Sequence, residues 1–210
     1  MYPISLTVFE SLKYKKMSLS VPLFPLKTVM FPGGVLPLRI FEPRYLDMVC
    51  ECLRNDSEIG VVLIQEGSET GEAAEPYPIG TLCTISYWNR RADGLLGITL
   101  RGNRRFQTVS HQVKSNQLIM AEVDILAETH PIDIQQKYQG MASLLRKIIS
   151  QLEPPYTTMP THYDDLEWVS ARLVELLPLP LDYKQQLLEV DDIFSRIEEL
   201  YIQIQQSTVG

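Results

Sequence analysis

Cysteine is scarce in this chain. Cys50, Cys52 and Cys83 are the only three in 210 residues, and an odd, sparse set builds no disulfide framework. Cys50 and Cys52 sit two apart on a predicted helix, so they point in different directions and lack metal-knuckle spacing. All three read as reduced thiols, which fits a cytoplasmic protein. Histidine is equally thin: His111, His130 and His162 are scattered, with no H-E-x-x-H or comparable ligand spacing. No apolar run approaches the roughly 18 residues of a membrane span. Met1–Lys16 lacks the charged start, apolar stretch and small-residue site of a secretory leader. A phosphate-cradling G-x-x-x-x-G-K-[ST] is missing, and Gly33-Gly34 is followed by Val-Leu-Pro with no lysine. Positive charge is in deficit, 19 Lys and Arg against 26 Asp and Glu, for a net charge of −7. That balance opposes general attraction to nucleic acid or anionic lipid. No cofactor, metal or membrane is expected.

What is present is a globular composition, 45% apolar and 21% charged, long enough for a sizeable core. The chain is organised around Val21–Asp47, which holds Pro22, Pro25, Pro32, Pro37 and Pro43 among large apolar residues. Proline fixes φ and removes a donor, so this stretch is extended or turned until Pro43. Phe31-Pro32-Gly33-Gly34 reads as a turn. Leu36, Leu38 and Ile40 then alternate as in a half-buried strand. Glu42-Pro43-Arg44-Tyr45 opens a helix, with Leu46, Val49 and Leu53 predicted inward and Asn55-Asp56 at its end.

Further along, Ile59–Ile64 is a wholly apolar run, a buried strand, and Gln65–Pro78 is an acidic loop. Thr81–Asn89 and Leu95–Arg101 flank Ala92-Asp93-Gly94 as a hairpin, and Gln107–Val113 and Leu118–Leu126 form a second pair around Ser115-Asn116. About six closely spaced strands indicate a compact antiparallel barrel or sandwich. After His130-Pro131 everything reads helical. Asp133, Asp164, Asp182 and Asp191 or Asp192 are the expected starts of four helices. The first runs about five turns through Ile134, Tyr138, Met141, Leu145, Ile148 and Leu152. Glu153–His162, with three prolines, is a loop, and Pro178-Leu179-Pro180 forces a break.

The blocks L-F-P-L, F-P-G and L-P-L-R-I-F-E-P-R-Y, in that order, resemble the opening signature of the Lon N-terminal domain family. That is the substrate-binding module of ATP-dependent Lon proteases. Arg101-Gly102-Asn103-Arg104-Arg105-Phe106 resembles the family's second signature, R-G-x-x-R-F, and Trp168–Asp191 its helical half, so the likeness runs from Leu19 to Tyr201. The family's Ser–Lys protease motif and its ATPase loop are missing, so the resemblance implies a stand-alone binding module and no enzyme. The implied fold class is α+β: an N-terminal PUA-like antiparallel pseudo-barrel with one helix, then a C-terminal helical bundle. The expected divisions are a loosely ordered extension at 1–17, a β-rich part at 18–128 and a helical part at 129–210.

Candidate sites follow. Pro25, Phe31, Pro32, Leu36, Pro37 and Phe41 cannot all face inward along an extended chain. Those that face out make an apolar surface for an unfolded or degron-bearing polypeptide, held by strand addition or side-chain pockets. Wrapping the barrel as core is the competing role for these residues. Glu42, Arg44, Tyr45, Arg101, Gly102, Arg105 and Phe106 form a structural signature in which Arg44 or Arg105 pairs with a carboxylate such as Glu42. An adaptor role toward a protease or chaperone, with weak homo-oligomerisation adding avidity, fits this reading. The alternative is an RNA-binding PUA-like module using Arg90, Arg91, Arg101, Arg104 and Arg105 with Tyr87, Trp88 and Phe106. An enzyme with an unrecognised small-molecule site is the third. Asp164-Asp165 and Asp191-Asp192 are read as helix caps rather than catalytic carboxylates.

Overall fold

The computed structural model describes residues 19–208, so the expectation for 1–17 lies outside the described residues. Six strands come first: β1 (Leu19–Leu26), β2 (Val35–Ile40), β3 (Ile59–Glu66), β4 (Glu75–Arg90), β5 (Leu96–Val113) and β6 (Ile119–Ile125). Helix α1 (Pro43–Asn55) lies between β2 and β3. After β6 come a 3-10 turn at Gln136–Tyr138 and helices α2 (Gln139–Ile149), α3 (Leu166–Leu176), α4 (Leu181–Glu189) and α5 (Ile193–Thr208).

The sheet order is β2-β5-β4-β3-β1-β6, and β5 also pairs with β6. Five strands thereby close a ring of pairings, with β2 outside it on β5. The expected purely antiparallel arrangement is corrected at one place: β1 and β3 run parallel, Leu23 opposite Gly60 and Leu26 opposite Leu63. Parallel neighbours need a long crossover, and β2 with α1 supplies it. A second correction concerns β5. Leu95–Arg101 and Gln107–Val113 are not two strands but parts of one 18-residue strand, with the R-G-N-R-R-F block at its centre. Its first half pairs with β2 and its second with β6, while β4 pairs from Leu96 to Gln107. No turn residue interrupts that block, and a strand serving two neighbours in succession must be long.

The turn at Phe31–Gly34 forms as its sequence predicts: Gly33 has φ +78°, and the Gly34 amide donates to the Phe31 carbonyl at 3.2 Å. Helix α1 starts at Pro43 and ends on Asp56, held at φ 50°. Aspartate tolerates that left-handed conformation. Its buried face is Tyr45, Met48, Val49 and Cys52. Leu53, predicted inward, is 38% exposed, because the buried stripe runs i, i+3, i+4, i+7 from Tyr45 to Cys52 and Leu53 falls at its margin.

The first C-terminal helix is shorter than its periodicity predicts. Asp133 does not cap it; residues 133 and 165 form an isolated β-bridge instead. For α3 the cap is Asp165, one residue beyond Asp164, accepting from the Glu167 amide at 3.0 Å and the Ile132 amide at 2.9 Å. Asp192 accepts from the Phe194 amide at 3.2 Å beside the start of α5, as its position predicts. Helix α3 is buried all round, including Glu167, Ser170 and Arg172. The largest apolar cluster joins the helices to the sheet side through Val29, Phe31 and Leu63. A second packs α1 on the sheet, and a third lies around Leu23, Leu82, Phe106 and Ile119.

Candidate functional site

The turn that launches β2 is held by the helices. Glu175 accepts from the Phe31 amide at 2.7 Å. Arg172 donates through Nε to Glu175 Oε2 at 2.6 Å and through Nη2 to Glu175 Oε1 at 2.9 Å and the Pro32 carbonyl at 3.0 Å. Lys184 donates to the Glu175 carbonyl at 2.7 Å. Burial pushes the Glu175 carboxyl up, against the opposing pull of Arg172 and the Phe31 amide. A second buried pair, Arg196 with Glu167 at 2.8 Å, lies close by, with the Arg196 guanidinium over the Phe31 ring at 5.4 Å. Removing a partner from such a pair strands a buried charge, so the turn and the strand behind it are firmly placed.

Among the described residues β2 pairs only with β5, leaving its other edge free. The Gly102 amide donates to the Gly34 carbonyl at 3.0 Å, and bonded pairs alternate along an antiparallel ladder. The register therefore turns the backbone groups of Leu36, Leu38 and Ile40 toward β5 and those of Val35, Pro37 and Arg39 outward. Proline has no N–H to give the ladder, so Pro37 falls on the outward set. The free edge offers the amides of Val35 and Arg39 and the carbonyls of Val35, Pro37 and Arg39.

Over the sheet face that ends at this edge opens a cleft of about 860 Å³. Its floor is sheet: Val35, Pro37 and Arg39 stand opposite Arg101, Thr99 and Gly97 of β5, with Tyr87 and Asn89 of β4 beyond. Its wall is the proline-rich loop at Glu153–Pro160, including Pro154, Pro155, Thr158 and Met159. Three arginines line it, Arg39, Arg91 and Arg101, against one carboxylate, Glu153. Arg91 approaches Asp93 at 3.5 Å. Arg39 and Arg101 make no ion pair within 4.0 Å among the described residues.

The sequence candidates divide. Pro25 and Phe31 are buried, Phe31 completely, and have no surface to offer a ligand: their turn and strand face the core. Leu36 packs half-buried against the α1 cluster, and Pro32 is half-buried at the Arg172 clamp. Pro37 is exposed in the cleft. Phe41 is 57% exposed but lines a separate hollow of about 300 Å³ with Trp88, Leu46 and Leu95. Within the signature set, Arg44 pairs with Glu42 at 3.0 Å and donates to the Gln117 carbonyl at 2.9 Å. Burial pushes the adjacent Tyr45 hydroxyl up to about 12, against Arg44. Arg105 reaches the helices instead, donating to the Leu188 carbonyl at 2.8 Å and to Asp191 at 2.9 Å. Phe106 is fully buried. Gly102 abuts the Phe31 carbonyl so closely that any Cβ would collide with it. The basic cluster considered for RNA is split: Arg91 and Arg101 line the cleft with Tyr87, while Arg104 is paired with Glu58 at 2.7 Å and Arg105 is buried.

Residues 20–206 match the family described as the ATP-dependent protease La (LON) substrate-binding domain. The chain belongs to that family. It is 26% identical over 187 residues to Lon protease 2 of Myxococcus xanthus, which takes in 85% of this chain and 22% of that protein. A Lon protease of Parabacteroides distasonis is 24% identical over 195 residues, 24% of its length. The chain thus spans less than a quarter of these curated relatives. Among solved structures, a Lon N-terminal domain protein from Xanthomonas campestris is 35% identical, with TM-score 0.70 over 87% of this chain and 96% of that one. The N-terminal domain of a Mycobacterium avium complex Lon protease, 19% identical with TM-score 0.56, shares the fold.

The two Lon-family signature blocks meet in space. L-P-L-R-I supplies β2 and R-G-N-R-R-F the middle of β5, and Val35 stands opposite Arg101 where they join. The cleft floor is built on that junction. Two parts of the site were not legible in the sequence. The Arg172–Glu175 clamp lies on a helix face that reads as surface, and the cleft wall reads as an ordinary connection. Three prolines within Glu153–His162 were the available signal that this loop is stiff enough to form a wall. Among the described residues no helix is long and apolar enough to cross a membrane, and no group of three or more His, Cys, Asp or Glu is placed to hold a metal.

Proposed function

We propose that this chain is a non-catalytic polypeptide-binding module whose site is the cleft between β2 and the Glu153–Pro160 loop. The carrying observation is the free edge of β2 bordering an open cleft, in a family described as substrate-binding. An extended segment gains backbone hydrogen bonds from the Val35 and Arg39 amides and side-chain contacts from the apolar floor. Buried Phe31 and the clamped turn supply rigidity rather than contact. On this reading the ring of β-pairings is a PUA-like pseudo-barrel, and the helical part from 129 onward is a bundle that braces it. Unfolded or degron-bearing protein is the ligand, handed on to a cytoplasmic protease or chaperone.

The test is anisotropy titration of a labelled, permanently unfolded polypeptide. Thr158 is exposed on the cleft wall, so Thr158→Trp narrows the cleft without touching the sheet. It lowers affinity at least about ten-fold, some 1.4 kcal/mol, while Phe41→Ser leaves affinity unchanged. The reverse pattern moves the site to the Phe41–Trp88 hollow and refutes the cleft.

A further inference from the structure

We infer that the cleft selects extended segments in which an apolar residue is flanked by carboxylates, read by Arg39 at one end and Arg101 at the other. The inference rests on the polypeptide-binding reading above and names its ligand class. Charge is the first argument. In a chain of net charge −7, the lining of this cleft carries three arginines against Glu153, with Asp93 paired to Arg91 and also within the field of Arg39. Arg39 and Arg101 are left without ion pairs among the described residues, as are Arg54, Arg90 and Arg146 outside the cleft, whereas Arg44, Arg104, Arg105, Arg172 and Arg196 are matched to carboxylates. A guanidinium facing solvent at a cleft mouth is a ready fork for a carboxylate.

Spacing is the second argument. Arg101 stands level with Val35, and Arg39 lies four residues along β2, about 13 Å at strand rise. Between the two levels the floor is Val35, Pro37 and Thr99. A strand laid along the β2 edge turns alternate residues to the same face. Positions i and i+4 therefore meet the arginines, and position i+2 meets the apolar floor. The preferred pattern is Glu-x-Val-x-Glu or its close variants. A nucleic acid fits less well: consecutive bases need a row of stacking faces. Here Tyr87 is the aromatic in the cleft, Trp88 lines the other hollow and Phe106 is buried.

The experiment uses three labelled extended peptides, identical except for Glu-x-Val-x-Glu, Gln-x-Val-x-Gln or Lys-x-Val-x-Lys, together with an oligouridine. Binding to the whole chain is read by anisotropy at low salt and at about 200 mM, where screening is strong. The acidic peptide is expected to bind at least ten-fold tighter than the glutamine peptide at low salt, and the lysine peptide weakest. Added salt narrows the gap. R39Q/R101Q equalises the three and R39E/R101E reverses their order, with circular dichroism unchanged. Equal affinities for all three peptides, all lost in Thr158→Trp, overturn the charge selection and leave the polypeptide site standing. No binding of any peptide overturns both. Tighter binding of oligouridine than of the acidic peptide, lost in R39Q/R101Q, overturns the inference in favour of nucleic acid.

Discussion

Replacing Arg172 with methionine tests the claim that the β2 turn is clamped by the helices. The side chain is 1% exposed and holds both Glu175 oxygens and the Pro32 carbonyl. Methionine keeps much of the volume but strands the Glu175 carboxylate, whose own side chain is 13% exposed. Breaking a buried pair from one side costs about 3–5 kcal/mol. In a domain of this size that is a fall in Tm of roughly 6–20 °C. The partner variant Glu175→Gln keeps an acceptor for the Phe31 amide and removes the charge. In R172M/E175Q neither member of the pair is left as an unmatched charge, so the double variant is less damaged than the two singles predict, with a coupling of about 2 kcal/mol. Urea denaturation of the four proteins gives the cycle. A cost below about 1 kcal/mol for Arg172→Met, or additivity within about 0.5 kcal/mol, refutes the clamp.

Other outcomes follow from the same geometry. Arg105→Leu leaves the Leu188 carbonyl without its donor and costs about 1–3 kcal/mol. Asp191→Ala, at a side chain 83% exposed, costs under about 1 kcal/mol in the same urea assay. Asp165→Ala removes the acceptor for the Glu167 and Ile132 amides and costs about 1–2 kcal/mol, while Asp164→Ala is near neutral by thermal melt. Gly102→Ala forces a methyl against the Phe31 carbonyl and destabilises by about 1–3 kcal/mol; an unchanged Tm contradicts the close approach. The Glu175 carboxyl is raised by burial, so the folded state holds its proton more tightly than the unfolded chain. Its contribution to stability is full below the ordinary glutamate value of about 4.3. It is lost as pH rises from there through the raised value, and Glu175→Gln removes that part of the pH slope in urea midpoints.

Local chemistry was readable where the backbone itself is constrained. Pro32-Gly33 could only turn, Pro43 could only open a helix, and the alternation from Ile119 to Ile125 could only be a half-buried strand. These features act within a few residues, so they survive in any context. Failures came where a partner far along the chain had the deciding influence. On α1, Val49 is buried as predicted, but Tyr45 and Met48 complete the inward face and Leu53 lies at its margin, a choice made by what packs against the helix. Asp133 lost its cap role to a bridge with residue 165. Phe31, an apolar residue beside proline, was equally able to be surface or core until Arg196 and the helices closed over it.

The order of proline, glycine and apolar residues along this chain was enough to specify a β-rich first part and a helical second part, since these rest on φ restrictions and on periods of two and 3.6, while the family was legible only through the resemblance of its motif blocks. The cleft required the folded molecule. Its floor joins two signature blocks some sixty residues apart, its wall comes from a loop fifty residues further on, and its two unpaired arginines are distinguished from their neighbours by which carboxylates the fold brings near. Pairing across such distances is fixed by packing and desolvation of the whole core, and no short stretch of sequence carries that information.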